Sequence, residues 1–165
     1  MLLAISDASV LIDMADSNLL GPLTKLPYRF VVPDFVVREI TRDEQREIVD
    51  RLAATKKLSV LTASGDDLRL IEALLQDHPA LSFADCSVVI LAERHKALIL
   101  TNDSRMRKIS ERRRLTCHGT LWIIRQLVQK TIVTAERARR ALLLLLEGNP
   151  RLPKADCDRL LRELE

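Results

Sequence analysis

The sequence predicts an α/β fold: a three-layer sandwich in which a central parallel sheet is flanked by helices, followed by a C-terminal helical extension. Two observations predict this fold. Short apolar runs suited to buried strands alternate with segments of helical spacing, which is typical of parallel sheets covered on both faces. The chain has 165 residues, of which 47% are hydrophobic, and this is enough for one domain with a substantial core.

The elements follow in order along the chain. The run LLAIS predicts a first strand, and the spacing of Val10, Leu11 and Met14 predicts the helix after it. Pro33 is suited to the first turn of a helix and therefore marks the end of the second strand. The predicted strands are residues 2–6, 29–32, 58–62, 97–101 and 115–119. The predicted helices are residues 8–15, 34–40, 42–57, 65–78, 82–96, 103–114, 120–130, 135–146 and 155–164, and residues 17–27 are predicted to form a loop.

Composition excludes several classes of protein. No apolar run approaches the roughly 20 residues of a membrane span, and Asp7 and Asp13 interrupt the first apolar stretch, unlike a signal peptide. We therefore expect a cytoplasmic protein. The three cysteines form no close pair, so neither a disulfide framework nor a zinc site is indicated. Four glycines, none in a glycine-rich loop, exclude the common nucleotide-binding fingerprints.

Positive charge is concentrated in the second half of the chain. The formal net charge is only +3, yet residues 94–114 hold eight Lys and Arg against two acids, and residues 125–140 hold five against one. This distribution suits a polyanionic partner such as nucleic acid, although arginine-rich helix faces are often solvated surface. Aromatic residues make up 3% of the chain, too few for a base-stacking platform, so recognition would rest on the phosphate backbone.

Two aspartates directly follow predicted strands. Asp7 comes after LLAIS, and Asp103 comes after ALILTN. Ligands bind beyond the carboxyl ends of the strands in open parallel sheets, so these two carboxylates meet if their strands are neighbours. Asp85 begins the helix before the second of these strands, and such a helix starts at the same edge of the sheet. Glu39, near the end of the helix after Pro33, would reach that edge from the side.

The same acids also have a purely structural interpretation. Asp is a favoured N-cap residue, so Asp7 and Asp103 fit as helix caps. Ser82 and Asp85 have the spacing of a capping box, and Glu39 fits a solvated helix position. Each acid taken singly leaves both interpretations open, and only the combination favours a site. Seven further acids are interpreted as caps or surface charge: Asp13, Asp16, Asp34, Asp43, Glu44, Asp66 and Asp67.

The chain resembles the PIN domain, in particular the VapC-like toxin ribonucleases, in three stretches: SDASVLIDM, VVPDFVVREI and LSFADCSVVILAERHKALILTND. That family has an Asp with a nearby Ser or Thr after the first strand, and a Glu after a V-x-P helix start. A third acid begins the helix before a strand that ends in T-x-D. The matching positions are Asp7 with Ser9, Glu39, Asp85, and Thr101 with Asp103.

The tail from LTCHGTLW onwards is similar to a PIN subgroup with a G-T-L helix and further C-terminal helices. The resemblance therefore implies a nuclease domain over residues 1–130 and a helical extension over residues 131–165 that packs on the same domain.

The resemblance also implies an enzyme: a divalent-metal-dependent endoribonuclease that hydrolyses RNA phosphodiester bonds. Four packed carboxylates repel one another, and Mg²⁺ or Mn²⁺ would offset that repulsion. The implied catalytic residues are Asp7, Glu39, Asp85 and Asp103, with Glu44 and Glu47 as alternatives to Glu39, and the implied metal ligands are Asp7, Asp85 and Asp103. The side chains that would orient these carboxylates are Ser9, Thr101 and Asn102, and those that would contact RNA phosphates are Arg105, Arg107 and Lys108.

A toxin of this kind implies a type II toxin–antitoxin pair, in which a small antitoxin protein covers the acids, and a homodimer. The apolar segments TLWIIRQLV and residues 142–146 are expected mostly in the core, and the helices over residues 135–164 would pack on the antitoxin or on a second copy. An RNA-processing PIN nuclease without an antitoxin stays open. A non-catalytic PIN scaffold that binds RNA or protein predicts missing acids, and none is missing. A phospho-transfer receiver requires adjacent acids after the first strand and a late lysine, and neither is present.

Overall fold

The computed structural model describes residues 2–165, so Met1, at the start of the predicted nuclease domain, lies outside the described residues. Over that range the chain forms five strands and ten helices. The strands are β1 (Leu2–Ser6), β2 (Tyr28–Pro33), β3 (Ser59–Leu61), β4 (Leu98–Leu100) and β5 (Cys117–His118). The helices are α1 (Ala8–Asp16), α2 (Leu20–Leu23), α3 (Asp34–Glu39), α4 (Asp43–Ala54), α5 (Gly65–Asp77), α6 (Phe83–His95), α7 (Ser104–Arg112), α8 (Thr120–Gln129), α9 (Ala135–Gly148) and α10 (Lys154–Glu163).

The five strands form one parallel sheet in the order β3-β2-β1-β4-β5. The first strand of the chain is therefore the central one, because it pairs with β2 on one side and with β4 on the other. In this register Ser6, the last residue of β1, lies opposite Leu100, the last residue of β4. Parallel strands are separated by crossover helices, and the helices here cover the sheet as the alternating pattern predicts.

The core is built around β1 and α6. Ala4 and Ile5 are completely buried, and α6 is buried along most of its length, from Ala84 to Ala92. A helix that is apolar on all sides has to lie inside the molecule. Accordingly α6 contacts α5, α3 and the sheet. Its N-terminus, and with it Asp85, is therefore held firmly at one edge of the sheet.

The segment between β1 and β2 differs from the prediction. Residues 17–27 were expected to form a loop, but Leu20–Leu23 form the short helix α2. Leu19, Leu20 and Leu23 are almost fully buried, so their burial in the core stabilises one helical turn in spite of the neighbouring glycine and proline. The other predicted elements are present, with ends that differ by a few residues.

The C-terminal helices pack on the rest of the chain. Both α9 and α10 contact α8, and α9 also contacts α1. Leu142, Leu145 and Leu160 are buried in the same core as β1, whereas Leu143 and Leu144 are exposed. The boundary at residue 130 between a nuclease domain and an extension stays a prediction. No helix in residues 2–165 combines the length and the apolar character that crossing a membrane requires.

Candidate functional site

Asp7 lies at the carboxyl end of the central strand and caps the helix that follows. Its carboxylate accepts hydrogen bonds from the backbone nitrogen of Val10 at 3.0 Å and from the Ser9 hydroxyl at 2.8 Å. Only 4% of the residue is exposed. The pKa of Asp7 is raised to about 6, because burial and, to a smaller extent, the negative charge of Asp85 outweigh the hydrogen bonds from Thr101, Val10 and Ser9 that lower it. The donors fix the position of the Asp7 carboxylate, and burial raises the free energy of its ionised form.

The hydroxyl of Thr101 connects Asp7 to Asp103. Asp7 and Asp103 were expected to meet if their strands are neighbours in the sheet, and β1 and β4 are neighbours. The Asp7 backbone nitrogen donates to the Leu100 carbonyl at 3.0 Å. The fully buried Thr101 Oγ1 donates to Asp7 Oδ2 at 2.5 Å and accepts from the Asp103 backbone nitrogen at 3.0 Å. Asp103 Oδ1 in turn caps α7 through the backbone nitrogens of Arg105 and Met106.

Asp85 and Glu39 are both hydrogen bonded to Ser82. Ser82 and Asp85 form the predicted capping box at the start of α6, with bonds of 2.9 and 3.0 Å. The Ser82 hydroxyl also donates to Glu39 Oε1 at 3.2 Å. Burial raises the pKa of Glu39 and the charge of Asp85 adds to this, although the Ser82 hydrogen bond acts in the opposite direction. Asp85 therefore acts electrostatically on both Asp7 and Glu39.

The structural and the functional interpretations of these acids are thus compatible. Asp7, Asp103 and Asp85 all cap helices, as their spacing predicts, and the same caps bring them to one edge of the sheet. A groove of about 1180 Å³, called here the strand-end groove, opens at that edge, and its lining includes Ser9, Glu39, Asn102, Asp103 and Arg105. Among residues 2–165, however, no three His, Cys, Asp or Glu side chains are grouped closely enough to hold one metal ion together.

A second acid, Asp13, is buried beside this groove. Only 4% of the residue is exposed, so its interpretation as a cap or surface charge is wrong. Asp13 Oδ2 accepts from Asn102 Nδ2 and Thr120 Oγ1, each at 2.9 Å, and Asp13 Oδ1 accepts from Asn149 Nδ2 at 3.0 Å. Burial raises the pKa of Asp13 in spite of these donors. The carboxylate therefore fixes Asn102, the residue before Asp103, and connects it to Asn149.

The sequence contains one signal for the burial of Asp13 and none for its pairing with Asn102, Thr120 and Asn149. Asp13 follows the buried Val10 by three residues and precedes the buried Met14, so helical spacing already places it next to the core face of α1. Its donors lie far away in the sequence, and only the fold brings them together. Thr120 belongs to the G-T-L motif at the start of α8, and Gly119 of that motif leaves no room for a side chain. A β-carbon at Gly119 would lie 2.7 Å from Asn102 Oδ1.

The three predicted RNA contacts have different surroundings. Lys108 is exposed on α7. Arg105 is also exposed, and one of its guanidinium nitrogens donates to the Ala80 carbonyl at 3.3 Å. Arg107 is half-buried and donates to the carbonyls of Thr101 and Cys117, at 3.1 and 2.9 Å. Arg107 therefore holds the ends of β4 and β5 together, and its contact with RNA stays a prediction.

Comparison with known proteins assigns this arrangement to a family. A family model described as the PIN domain matches residues 3–165, almost the entire chain. The chain belongs to the PIN-domain family. The predicted family is thereby confirmed, and the match includes the C-terminal helices of this PIN domain.

A solved structure of similar fold is the crystal structure of VapBC2 from Rickettsia felis bound to a DNA fragment from their promoter. One of its chains matches with a TM-score of 0.51 and 15% sequence identity, over 72% of this chain and 98% of that chain. At this identity the likeness concerns the fold, and it agrees with the predicted α/β sandwich. No curated protein matches this PIN domain significantly.

Proposed function

We propose that this PIN domain is a divalent-metal-dependent endoribonuclease that hydrolyses RNA phosphodiester bonds and acts as the toxin of a type II toxin–antitoxin pair. One observation carries the proposal: acids from separate elements share one electrostatic environment at the strand ends. Burial raises the pKa of both Asp7 and Glu39, the charge of Asp85 adds to both shifts, and Thr101 hydrogen bonds with both Asp7 and Asp103. PIN domains are generally nucleases, which supports the same chemistry here.

The side chains fit Mg²⁺ or Mn²⁺ by their chemistry. Both ions prefer carboxylate and water oxygens, and Mg²⁺ is commonly held by only one or two carboxylates while it keeps several waters. A cluster of three acids is therefore not needed for binding. Asp7 and Asp103 are the first ligands we propose, because both lie at ends of neighbouring strands, with Asp85 as a further ligand. Ser9 and Thr101 would keep the Asp7 carboxylate ionised and oriented by donating to it.

A bound cation would activate water and offset the negative charge that develops on the scissile phosphate. Glu39 lies on the groove and has a raised pKa, so it is suited to accept a proton from the attacking water. Arg105 and Lys108 would bind phosphates next to the acids. Asn102 would hold the loop of Asp103 in place through its amide, which is fixed by Asp13 and Thr120.

The partner follows from the same proposal. The similar chain comes from a structure named VapBC2, and we propose a small antitoxin that covers the strand-end groove, with a homodimer as the active form. Leu143 and Leu144, exposed by 41% and 46%, are apolar surface on α9 for such contacts.

The test combines metal binding with cleavage. Mn²⁺ is titrated calorimetrically into the wild type and into the Asp7→Asn/Asp103→Asn double variant, both without any partner protein. The same proteins are then incubated with a panel of RNAs in Mg²⁺, in Mn²⁺ and in EDTA. Asp50→Asn is the matched control, because Asp50 is an exposed acid on α4 that pairs with Arg46. We expect the wild type and the control to bind Mn²⁺ and to cleave, and the double variant to do neither.

Different results separate the alternatives. Cleavage that survives in the double variant would contradict the assignment of these acids. RNA binding without cleavage in any metal would favour a non-catalytic PIN scaffold. Cleavage in vitro without growth arrest on expression in cells would favour an RNA-processing nuclease over a toxin.

A further inference from the structure

The turn between α9 and α10, residues 149–153, forms part of the lining of the strand-end groove. The groove that holds Ser9, Glu39 and Asp103 is also lined by Asn149 and Arg151. A segment that begins 46 residues beyond Asp103 in the sequence therefore faces the same space as Glu39 and Asp103, two of the four proposed catalytic acids. A strand bound along this groove at Asp103 can therefore also contact this turn.

The turn is anchored to the proposed active site by hydrogen bonds. Asn149 Nδ2 donates to Asp13 Oδ1 at 3.0 Å, and the other oxygen of Asp13 accepts from Asn102 at 2.9 Å. Leu152, at the far end of the turn, is only 7% exposed and packs in the core. Both ends of the turn are thus fixed, and the two residues between them, Pro150 and Arg151, line the groove.

Arg151 is the cation at that position. Its backbone nitrogen donates to Asn149 Oδ1 at 3.0 Å, which fixes the start of its side chain. Within residues 2–165 its guanidinium has no hydrogen bond and no ion pair, and the residue is exposed. The groove arginines Arg105 and Arg107 differ, because both donate to backbone carbonyls. Arg151 is therefore a groove guanidinium whose donors are all available to a ligand.

A phosphodiester backbone is the ligand class that this arrangement favours. A nucleic-acid strand that places one phosphate at the acids has to continue past the acids. The acids repel the neighbouring phosphates, so those phosphates need cations to bind. A guanidinium binds phosphate through parallel N–H donors. We propose that Arg151, positioned by Asn149 and Asp13, binds a phosphate of the RNA strand, so that the C-terminal helices contribute directly to the substrate site. This inference rests on the proposed ribonuclease function.

The experiment measures binding separately from cleavage. A short fluorescein-labelled single-stranded RNA is titrated with the full chain in EDTA, and fluorescence anisotropy is recorded at several salt concentrations. The variants are Arg151→Ala, Arg151→Lys and the matched control Arg162→Ala. Arg162 is also exposed, lies on α10 outside the groove, and forms no side-chain hydrogen bond or ion pair within residues 2–165. Thermal unfolding of each variant checks that its stability is unchanged.

We expect Arg151→Ala to weaken RNA binding about 3- to 10-fold and to reduce the slope of log K against log salt by about 0.7, which is one phosphate contact on a single strand. Arg151→Lys should keep the slope, since the charge remains, and Arg162→Ala should match the wild type. In cleavage assays with Mn²⁺, Arg151→Ala should raise KM and leave kcat unchanged, because a remote phosphate contact is the same in ground and transition state.

Equal behaviour of Arg151→Ala and Arg162→Ala would overturn the inference, and so would a wild-type chain that binds no RNA. A loss confined to the binding of an antitoxin peptide would also overturn it, by assigning Arg151 to a protein partner. Arg151-dependent RNA binding without cleavage in any metal would support the inference and refute the proposed nuclease function.

Discussion

Replacement of Asp7 by Asn should stabilise the metal-free protein at neutral pH. The ionised carboxylate is buried, and burial raises its pKa from the ordinary value of 3.8 to about 6. This difference corresponds to about 3 kcal/mol of destabilisation when the group is fully ionised. Asn keeps the shape and an acceptor oxygen for Val10, and its amide can donate to Thr101. Some of the hydrogen bonding is lost, so we expect a net gain of about 1–3 kcal/mol.

The sign of the pH dependence follows from the direction of the shift. The folded state binds the Asp7 proton more tightly than the unfolded state. Between about pH 4 and pH 6 the Asp7 carboxyl is therefore protonated in a larger fraction of folded chains than of unfolded chains. The wild type therefore loses stability as the pH rises through this window, whereas Asp7→Asn does not. The advantage of the variant should be absent below about pH 4 and complete above about pH 7.

The assay is thermal unfolding in EDTA from pH 4 to pH 8. For a domain of this size a gain of 1–3 kcal/mol raises Tm by about 2–12 °C. Asp67→Asn is a control of opposite sign. Burial alone would raise the pKa of Asp67, but hydrogen bonds from Ser64 and Arg94 lower it below its ordinary value. Its replacement should therefore lower Tm at neutral pH.

Mn²⁺ should reverse the order of the two proteins. A ligand present at about 1,000 times its Kd stabilises the folded state by about 4.1 kcal/mol, which exceeds the expected advantage of the variant, and only the wild type would gain this. An Asp7→Asn variant that is less stable than the wild type at pH 7.5 in EDTA, or whose Tm difference does not change with pH, would refute the reasoning.

Three further perturbations test the surroundings of the acids. Gly119→Ala places a β-carbon 2.7 Å from Asn102 Oδ1, so Asn102 has to move. We expect the free energy of unfolding in urea to fall by about 1–3 kcal/mol and RNA cleavage to become slower. An unchanged cleavage rate would mean that the loop of Asp103 tolerates the movement of Asn102. Asn149→Ala removes the donor to Asp13 Oδ1 and should lower the free energy of unfolding, measured by thermal unfolding, by about 1–2 kcal/mol. An unchanged stability would mean that a water molecule replaces the amide as the donor. Arg107→Ala should lower stability by about 1–3 kcal/mol, whereas Lys108→Ala should affect only RNA binding; equal Tm values for these two variants would contradict the structural role of Arg107.

The parallel sheet and the helix caps could be predicted because their signals are local. A strand that ends in a polar residue, followed by helical spacing, identifies Asp7 and Asp103 as junction residues, and the Ser82–Asp85 spacing identifies a capping box. The family's order of acids then places these junctions at one edge of the sheet. The short helix α2 was missed because its residues have poor local helix signals, and it forms through burial of its leucines.

The side-chain network could not be predicted, because its partners are joined only by the fold. The hydrogen bonds of Asp13 connect it to residues 89, 107 and 136 positions away. Arg107 was predicted as an RNA contact from the charge of its helix, yet its guanidinium binds two carbonyls at the ends of β4 and β5. Local charge indicates where a polyanion could bind, but it does not show which cations are already engaged within the protein.

The distance in sequence between the partners of the site has a consequence during synthesis. The contact of Asp7 with Thr101 joins residues 94 positions apart, and that of Asp13 with Asn149 joins residues 136 positions apart. At ribosomal rates the second interval takes on the order of ten seconds. The nascent chain therefore holds its first acids for several seconds before their partners exist, and the hydrogen-bond network around Asp13 can be completed only after Asn149 has been synthesised.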